Sequence, residues 1–324
     1  MTKSLQLQIE MIQEFGACVF DVTLDCEDGA PVGGEIDQAE MVAALANTAQ
    51  TAPDFIATGV TRRVGARLHP VDHPAFASDA EIVVGGAGLA LSYIMLPKVE
   101  SVRDVERAVD AIDAATRSSA GERPLPLHVL IESPAAVQQA FAIAAHPRVE
   151  SVSFGLMDFV SAHAGAIPAF AMGMRGTGDD TTLDQFHHPL VLRAKLEIAS
   201  ACHAFGKVPS HCVVTEFRDR TALRRAAKTA ASALGYTRMW SIHPDQIRPI
   251  IEAFSPSVQE VETAADIVAQ AREHGWAPIS VAGKLHDRAS FRYFWQVLER
   301  AHQTGCAMPE AVRDYFVNSP ESIH

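Results

Sequence analysis

The sequence predicts an α/β fold, a barrel of alternating strands and helices followed by a C-terminal helical lid or docking segment. Three observations carry that reading. Apolar runs of strand length alternate with helix-length stretches along most of the chain. The runs read as buried strands, as expected of a parallel sheet covered on both faces. Carboxylates, arginines and histidines recur just beyond successive runs, where a parallel barrel gathers its functional side chains.

The elements follow in order. Residues 5–14 read as a helix, and ACVFDVTLDCEDG reads as a strand running into an acidic loop. Residues 35–50 carry Ala, Leu and Met at helical spacing, and RRVGARLH is the next strand, ending near His69 and Pro70. The stretch AEIVVGGAGLALSYIMLPKVES reads as a short packed segment, a glycine-rich turn and a strand ending at Lys98. Gly85, Gly86 and Gly88 lack the lysine and serine of a phosphate loop and do not match a dinucleotide fingerprint, so packing or turning is their expected role. Helical spacing returns in VRDVERAVDAIDAATR, before the strand LHVLIES.

Pro134 then suits an early helical position in PAAVQQAFAIAAH, because its missing N–H would be unpaired there anyway. VESVSFGLMD is a strand; LVLRAKLEIASACHAFG with SHCVV, and RTALRRAAKTAASALG with RMWSIHP, are helix–strand pairs. Near the C-terminus, SPSVQEVETAADIVAQAREHG is a helix, and a polar connector through GKLHD leads into an aromatic-bearing helix. The expected division is a barrel over residues 1–254 and a helical extension over 255–324 that packs on the barrel or on a neighbouring subunit.

Composition narrows the function classes. With 324 residues and 48% apolar content, the chain has the material for a large core. A net charge of −12 argues against a general nucleic-acid surface, while 27 Lys and Arg still allow a local basic pocket. The five cysteines are scattered, without a CxxC pair, which argues against a disulfide framework or a structural zinc cluster. No segment reads as a secretory signal or a membrane helix, so the expected setting is the cytoplasm.

The residues that could carry chemistry sit beyond the strands. Glu132 in LHVLIES and Asp158 in VSFGLMD would open at the same end of a parallel sheet, offering four oxygens to a magnesium ion. On spacing alone, each is as readily a helix cap or an ion-pair partner. Asp25, Glu27 and Asp28 form an acidic loop, with Gly29 and Pro31 turning the chain away. Arg67 could hold a carboxylate in bidentate geometry; Lys98 could meet a phosphate or close a salt bridge. His69, His211 and His243 are candidate proton carriers or structural donors. Cys26 between carboxylates is a poor nucleophile and reads as a small buried filler. Arg218 and Asp219 suit a local ion pair or a helix cap.

In order, the motifs LDCEDG, RLHP, LPKVES, LIES, GLMD, FRD and SIHPDQI resemble those of the HpcH/HpaI aldolase and citrate-lyase beta-subunit superfamily, in its citrate-lyase-beta-like and malyl-CoA-lyase-like branches. The resemblance implies a TIM barrel and magnesium-dependent carbon–carbon bond chemistry on a short oxoacid or hydroxyacyl substrate, often as a CoA thioester. It implies Glu132 and Asp158 as metal ligands, Glu27 and Asp28 as the acidic-loop residues of catalysis, and Arg67 as the substrate-binding arginine. Lys98 falls at a CoA-phosphate contact. GKLHD resembles a terminal GxMxD pattern, making Asp287 the candidate catalytic acid or base; in related lyases that acid can enter from a neighbouring subunit, so a homo-oligomer is expected.

The family often begins with a strand resembling RSxLFVPG, which does not precede LDCEDG here, so an altered first strand is expected. RLHP replaces an RVN-like sequence and adds His69 to the expected substrate pocket. A CoA-independent oxoacid aldolase, a related thioesterase and a noncatalytic metabolite-binding or assembly protein are the alternative readings.

Overall fold

The computed structural model describes residues 1–29, 31–118, 124–174 and 183–317. The chain divides into two compact units, Met1–Ile9 with Phe20–Ala253 and Glu10–Val19 with Phe254–His324. The first helix, α1 (Thr2–Phe15), contributes to both.

The first unit holds seven parallel strands in sequential order, β1 (Val22–Asp25), β2 (Val64–Arg67), β3 (Tyr93–Leu96), β4 (Leu127–Ile131), β5 (Val149–Phe154), β6 (Val208–His211) and β7 (Arg238–Met239). Between them run α2 (Glu35–Thr51), α3 (Pro53–Ile56), α4 (Phe76–Asp79), α5 (Gly85–Ala87), α6 (Val102–Ser118), α7 (Pro134–Gln138), α8 (Ala140–Ala145), α9 (Leu156–Ser161), α10 (Pro189–Ala204) and α11 (Arg220–Ala233), with α12 (Pro244–Phe254) after β7. This is the expected α/β barrel in distorted form: among the described residues no eighth strand joins the sheet, and β7 does not pair with β1.

Local chemistry sets the ends of several elements. Ser133 caps α7 by accepting from the Ala136 N–H at 3.0 Å, with Pro134 at its first turn. Asp219 caps α11 by accepting from the Thr221 and Ala222 N–H groups. The glycine-rich turn expected at residues 85–88 is instead helical: a π-helical turn (Ala80–Val84) runs directly into α5. Gly88 provides closeness rather than a bend, since a Cβ there would lie 2.6 Å from the Val84 carbonyl oxygen.

The two faces of the sheet differ. Leu24, Ala66, Ile94, Leu96, Val129 and Ile131 on one face pack in a continuous core with Val42 and Ala46 of α2, Val105 and Ile112 of α6, and Val191 and Ile198 of α10. The other face carries Thr23, Gly65 and Tyr93, in register across β1 to β3, and His128 and Ser151, register partners on β4 and β5. Tyr93 crosses Gly65, whose added Cβ would lie 2.4 Å from its ring, and its hydroxyl meets Thr23 Oγ1 at 2.7 Å. His128 bonds Ser151 and Ser153 through its two ring nitrogens. Asp25 and Arg67 continue this polar face to the carboxyl ends of β1 and β2.

The first half of α1 takes the flank of β1. Val22 and Cys26 direct their N–H groups to β2, and the Asp25 N–H, pointing to the opposite edge, lies 3.4 Å from the Met1 sulfur. The Gln8 amide donates to the carbonyls of Phe20 and Arg63, and the buried Arg62 donates to Gln8, Ala49 and Leu5. A helix thus covers an edge that would otherwise expose unpaired backbone.

The second unit contains α13 (Val258–Glu273), β8 (Ile279–Val281), β9 (Lys284–His286), α14 (Arg288–Gln303) and α15 (Glu310–Val317). Val261, Ala264 and Val268 of α13 pack with Trp295 and Leu298 of α14 and Val312 of α15. The polar connector expected before α14 is an antiparallel hairpin, β8 with β9. Ala282 and Gly283 at its tip have φ of 49° and 77°, the two positive values that a two-residue turn matching the strand twist requires.

Candidate active site

The parallel order of the strands sets the expected residues around one rim in sequence. Asp25 ends β1, Arg67 ends β2, Lys98 stands two residues past β3, Glu132 directly follows β4, and Asp158 lies in the first turn of α9 after β5. Carboxyl ends of parallel strands are where such folds place ligands.

Arg67 is the most heavily bonded of them. Asp25, its register partner on β1, accepts from Nε and Nη2 at 2.7 Å each. Glu27 Oε2 is ion-paired with Nη1 at 2.8 Å, and Asp28 accepts from Nη2 at 2.9 Å. Burial opposes the charge of Arg67, but the hydrogen bonds and charges of Asp25, then Glu27 and Asp28, more than offset it, so the guanidinium stays protonated. Its plane lies over the Trp240 ring at 5.4 Å.

Glu27 is nearly buried and carries a cation on each oxygen, Arg67 on one and the Lys98 ammonium at 2.7 Å on the other. Lys98 reaches it from a backbone with φ of 50°, an uncommon value for a lysine. Its ammonium is therefore directed at the carboxylates.

Glu132 is 6% exposed, and its Oε2 has no hydrogen-bond partner. Burial, then the charges of Asp158 and Glu27, push its carboxyl up to about 8, against the opposing pull of Lys98 and Arg67. Gly155, between β5 and α9, makes room for it: a Cβ there would lie 2.4 Å from the Glu132 Cγ and 2.5 Å from its Oε1. A buried, unbonded carboxylate oxygen beside a second carboxylate suits a hard divalent cation. Among the described residues no group of three or more His, Cys, Asp or Glu could hold a metal. Two carboxylates, with water and substrate oxygens for the remaining positions, are the usual protein share for magnesium.

The other candidates lie in more constrained settings. His69 is buried, with its backbone N–H and Nδ1 both on Oδ2 of the buried Asp79, at 2.8 and 2.7 Å, and its ring stacked on His73. Only Nε2 is left to meet a ligand. His211 is wholly buried against Phe186 and Tyr236, and burial, then Lys195, keeps it neutral. His243 stacks on Phe217, and its Nδ1 accepts from the Asp245 N–H at the start of α12. Cys26 is buried, and burial, then Asp79 and Asp25, pushes its thiol far up, so it is inert as a nucleophile. Asp287 belongs to the second unit, where its Oδ1 accepts from the Ala289 and Ser290 N–H groups and caps α14.

Trp240 and Gly155 escaped the sequence reading. Trp240 had one usable signal, its position directly after β7.

The model of the HpcH/HpaI aldolase/citrate lyase family matches residues 6–244. The chain belongs to that family. An L-malyl-CoA/beta-methylmalyl-CoA lyase of Cereibacter sphaeroides is 31% identical over 249 residues, 72% of this chain and 75% of the relative. The human mitochondrial citramalyl-CoA lyase is 28% identical over 78% of this chain and 68% of its own length. Among solved structures, a citrate lyase of Burkholderia xenovorans matches 95% of this chain and 91% of its own at 46% identity and a TM-score of 0.77. The CitE protein of Mycobacterium tuberculosis, solved with magnesium, acetoacetate and coenzyme A, shares the fold at 22% identity, 91% and 94% coverage and a TM-score of 0.61.

Proposed function

We propose that this member of the HpcH/HpaI family is a magnesium-dependent carbon–carbon lyase that cleaves, or in reverse forms, a short hydroxyacyl-CoA from an oxoacid and an acyl-CoA. The carrying observation is the pair of Glu132 and Asp158, with a buried Glu132 oxygen left unbonded in a cradle that only glycine at 155 permits. Support comes from the relatives described as malyl-CoA and citramalyl-CoA lyases and from the magnesium, acetoacetate and coenzyme A in the CitE complex.

In this reading Glu132 and Asp158 would hold the cation, which supplies Lewis-acid polarisation of the oxoacid carbonyl. Arg67 grips the substrate's carboxylate, in a plane fixed by Asp25 and Trp240. Glu27, ion-paired on both oxygens, positions Arg67 and Lys98 rather than moving a proton. Lys98 holds the second oxygen of Glu27, and its half-exposed side chain is also the proposed CoA-phosphate contact. The substrate hydroxyl passes its proton to solvent water as the carbon–carbon bond breaks; the electron pair of that bond becomes the thioester enolate, and Asp287, protonated at the start, gives its proton to the enolate carbon and regains one from solvent. A homo-oligomer that brings Asp287 to a neighbouring site belongs to the same reading.

The test combines calorimetric titration of magnesium with product analysis on malyl-CoA and citramalyl-CoA. Glu132→Gln and Asp158→Asn are each expected to weaken magnesium binding and to lower turnover by roughly 100-fold or more, with the circular dichroism spectrum unchanged. Asp287→Asn is expected to lose turnover while keeping magnesium affinity. Full activity in both carboxylate variants would sink the assignment.

A further inference from the structure

We propose that Asp28 competes with the substrate's carboxylate for one edge of Arg67, so that binding exchanges one carboxylate for another and selects ligands that carry one. The inference rests on Arg67 as the carboxylate anchor of the proposed lyase.

A guanidinium offers five N–H donors in one plane. Asp25 holds the edge formed by Nε and Nη2, which leaves the second Nη2 hydrogen, on the edge shared with Nη1, to Asp28. That shared edge is one on which a carboxylate can bind Arg through two parallel bonds. Asp25 and Asp28 thus take three of the five donors, and Glu27 lies against Nη1 as an ion pair at 2.8 Å.

The three are not equally fixed. Asp25 is the register partner of Arg67, so moving it breaks the end of a strand pair. The Glu27 side chain is 8% exposed and held on its other oxygen by Lys98. The Asp28 side chain is 75% exposed and stands in the loop beyond β1. It alone can turn into solvent without disturbing a strand register or a second ion pair, and an exposed pair of this kind is worth little to the fold.

Charge favours exchange over addition. Asp25, Glu27, Asp28 and Asp158 outnumber the two cations, Arg67 and Lys98, while Glu132 holds a proton, and with a divalent cation bound five carboxylates still exceed four positive charges, so a further anion meets net repulsion on this rim. Departure of Asp28 keeps the number of carboxylates on Arg67 constant as the substrate's arrives. A neutral ketone or aldehyde gains no such exchange, which makes Asp28 a device against ligands lacking a carboxylate.

The experiment titrates the full chain, with magnesium present, with pyruvate and then acetate by calorimetry, comparing wild type, Asp28→Ala, Asp28→Asn, Asp28→Glu and Arg67→Met. An exposed ion pair of up to about 1 kcal/mol corresponds to roughly three- to five-fold in Kd. Asp28→Ala and Asp28→Asn are expected to bind pyruvate tighter by that factor, and Asp28→Glu to return toward wild type. Unchanged or weaker binding in Asp28→Ala and Asp28→Asn, while Arg67→Met loses it, overturns the competition and leaves the anchor standing. Undiminished binding by Arg67→Met, or no carboxylate binding by any variant, overturns the anchor and the competition with it.

Discussion

At the scale of single residues, the site is a set of carboxylates held unequally. Asp25 and Glu27 are spent on Arg67 and Lys98, whereas Glu132 keeps an unbonded oxygen at the cost of burial and like charge. Such a cost without a structural partner is what a functional site carries. Gly155 is the residue that allows it. Gly155→Ala is expected to displace the Glu132 side chain, to cost about 1–3 kcal/mol of stability and to weaken magnesium binding by about tenfold. Denaturant titration and calorimetry together check this; native magnesium affinity in the variant would show that the cradle is not needed. Glu132 and Asp158 were legible as acids just past apolar runs. The cradle was not, because Gly155 and Glu132 meet across two strands with no local signature.

At the scale of elements, the polar concave face of the sheet separates this barrel from one filled with aliphatic side chains. His128, on β4, is pushed down to about 3 by burial first and the charge of Arg238 second, and bonds Ser151 and Ser153 while neutral. Its folded value lies below its unfolded value of about 6.5, so the unfolded chain binds the extra proton between them. Stability from this group is complete above pH 6.5 and is lost as pH falls toward 3, at about 1.4 kcal/mol per unit. Denaturant midpoints between pH 6.5 and 4 should therefore decline more steeply in wild type than in His128→Gln. Parallel profiles would show that the buried imidazole does not govern acid stability. Helices such as α2, α6 and α10 were legible through their spacing, and α7 and α11 through Pro134 and Asp219. The β8–β9 hairpin read as a connector because two three-residue strands carry too little periodicity, and its Ala-Gly turn lacks the more familiar Asn-Gly or Asp-Gly signal.

At the scale of the whole molecule, α1 belongs partly to each unit: residues 2–9 flank the barrel's first strand, and residues 10–15 join the C-terminal helices. Met11 and Ile12 are each 1% exposed. A chain ending at Ala253 should leave both without their unit and lose roughly 3–6 kcal/mol, from about 1.5–3 kcal/mol per buried large apolar side chain. Thermal unfolding of the shortened chain against the full one measures this, and an unchanged transition would mean that the barrel is stable without the second unit.

Sequence alone determined the alternation of strands and helices, the family, and the order in which acids and bases follow the strands. Each of these is written in local periodicity or in short motifs whose meaning does not depend on distant neighbours. Tertiary structure decided that a helix flanks the first strand, that Gly155 opens room for Glu132, and that Arg67 arrives already ion-paired with three carboxylates. Those outcomes depend on side chains brought together from remote parts of the chain, where burial and charge, rather than spacing, determine what each group can still do.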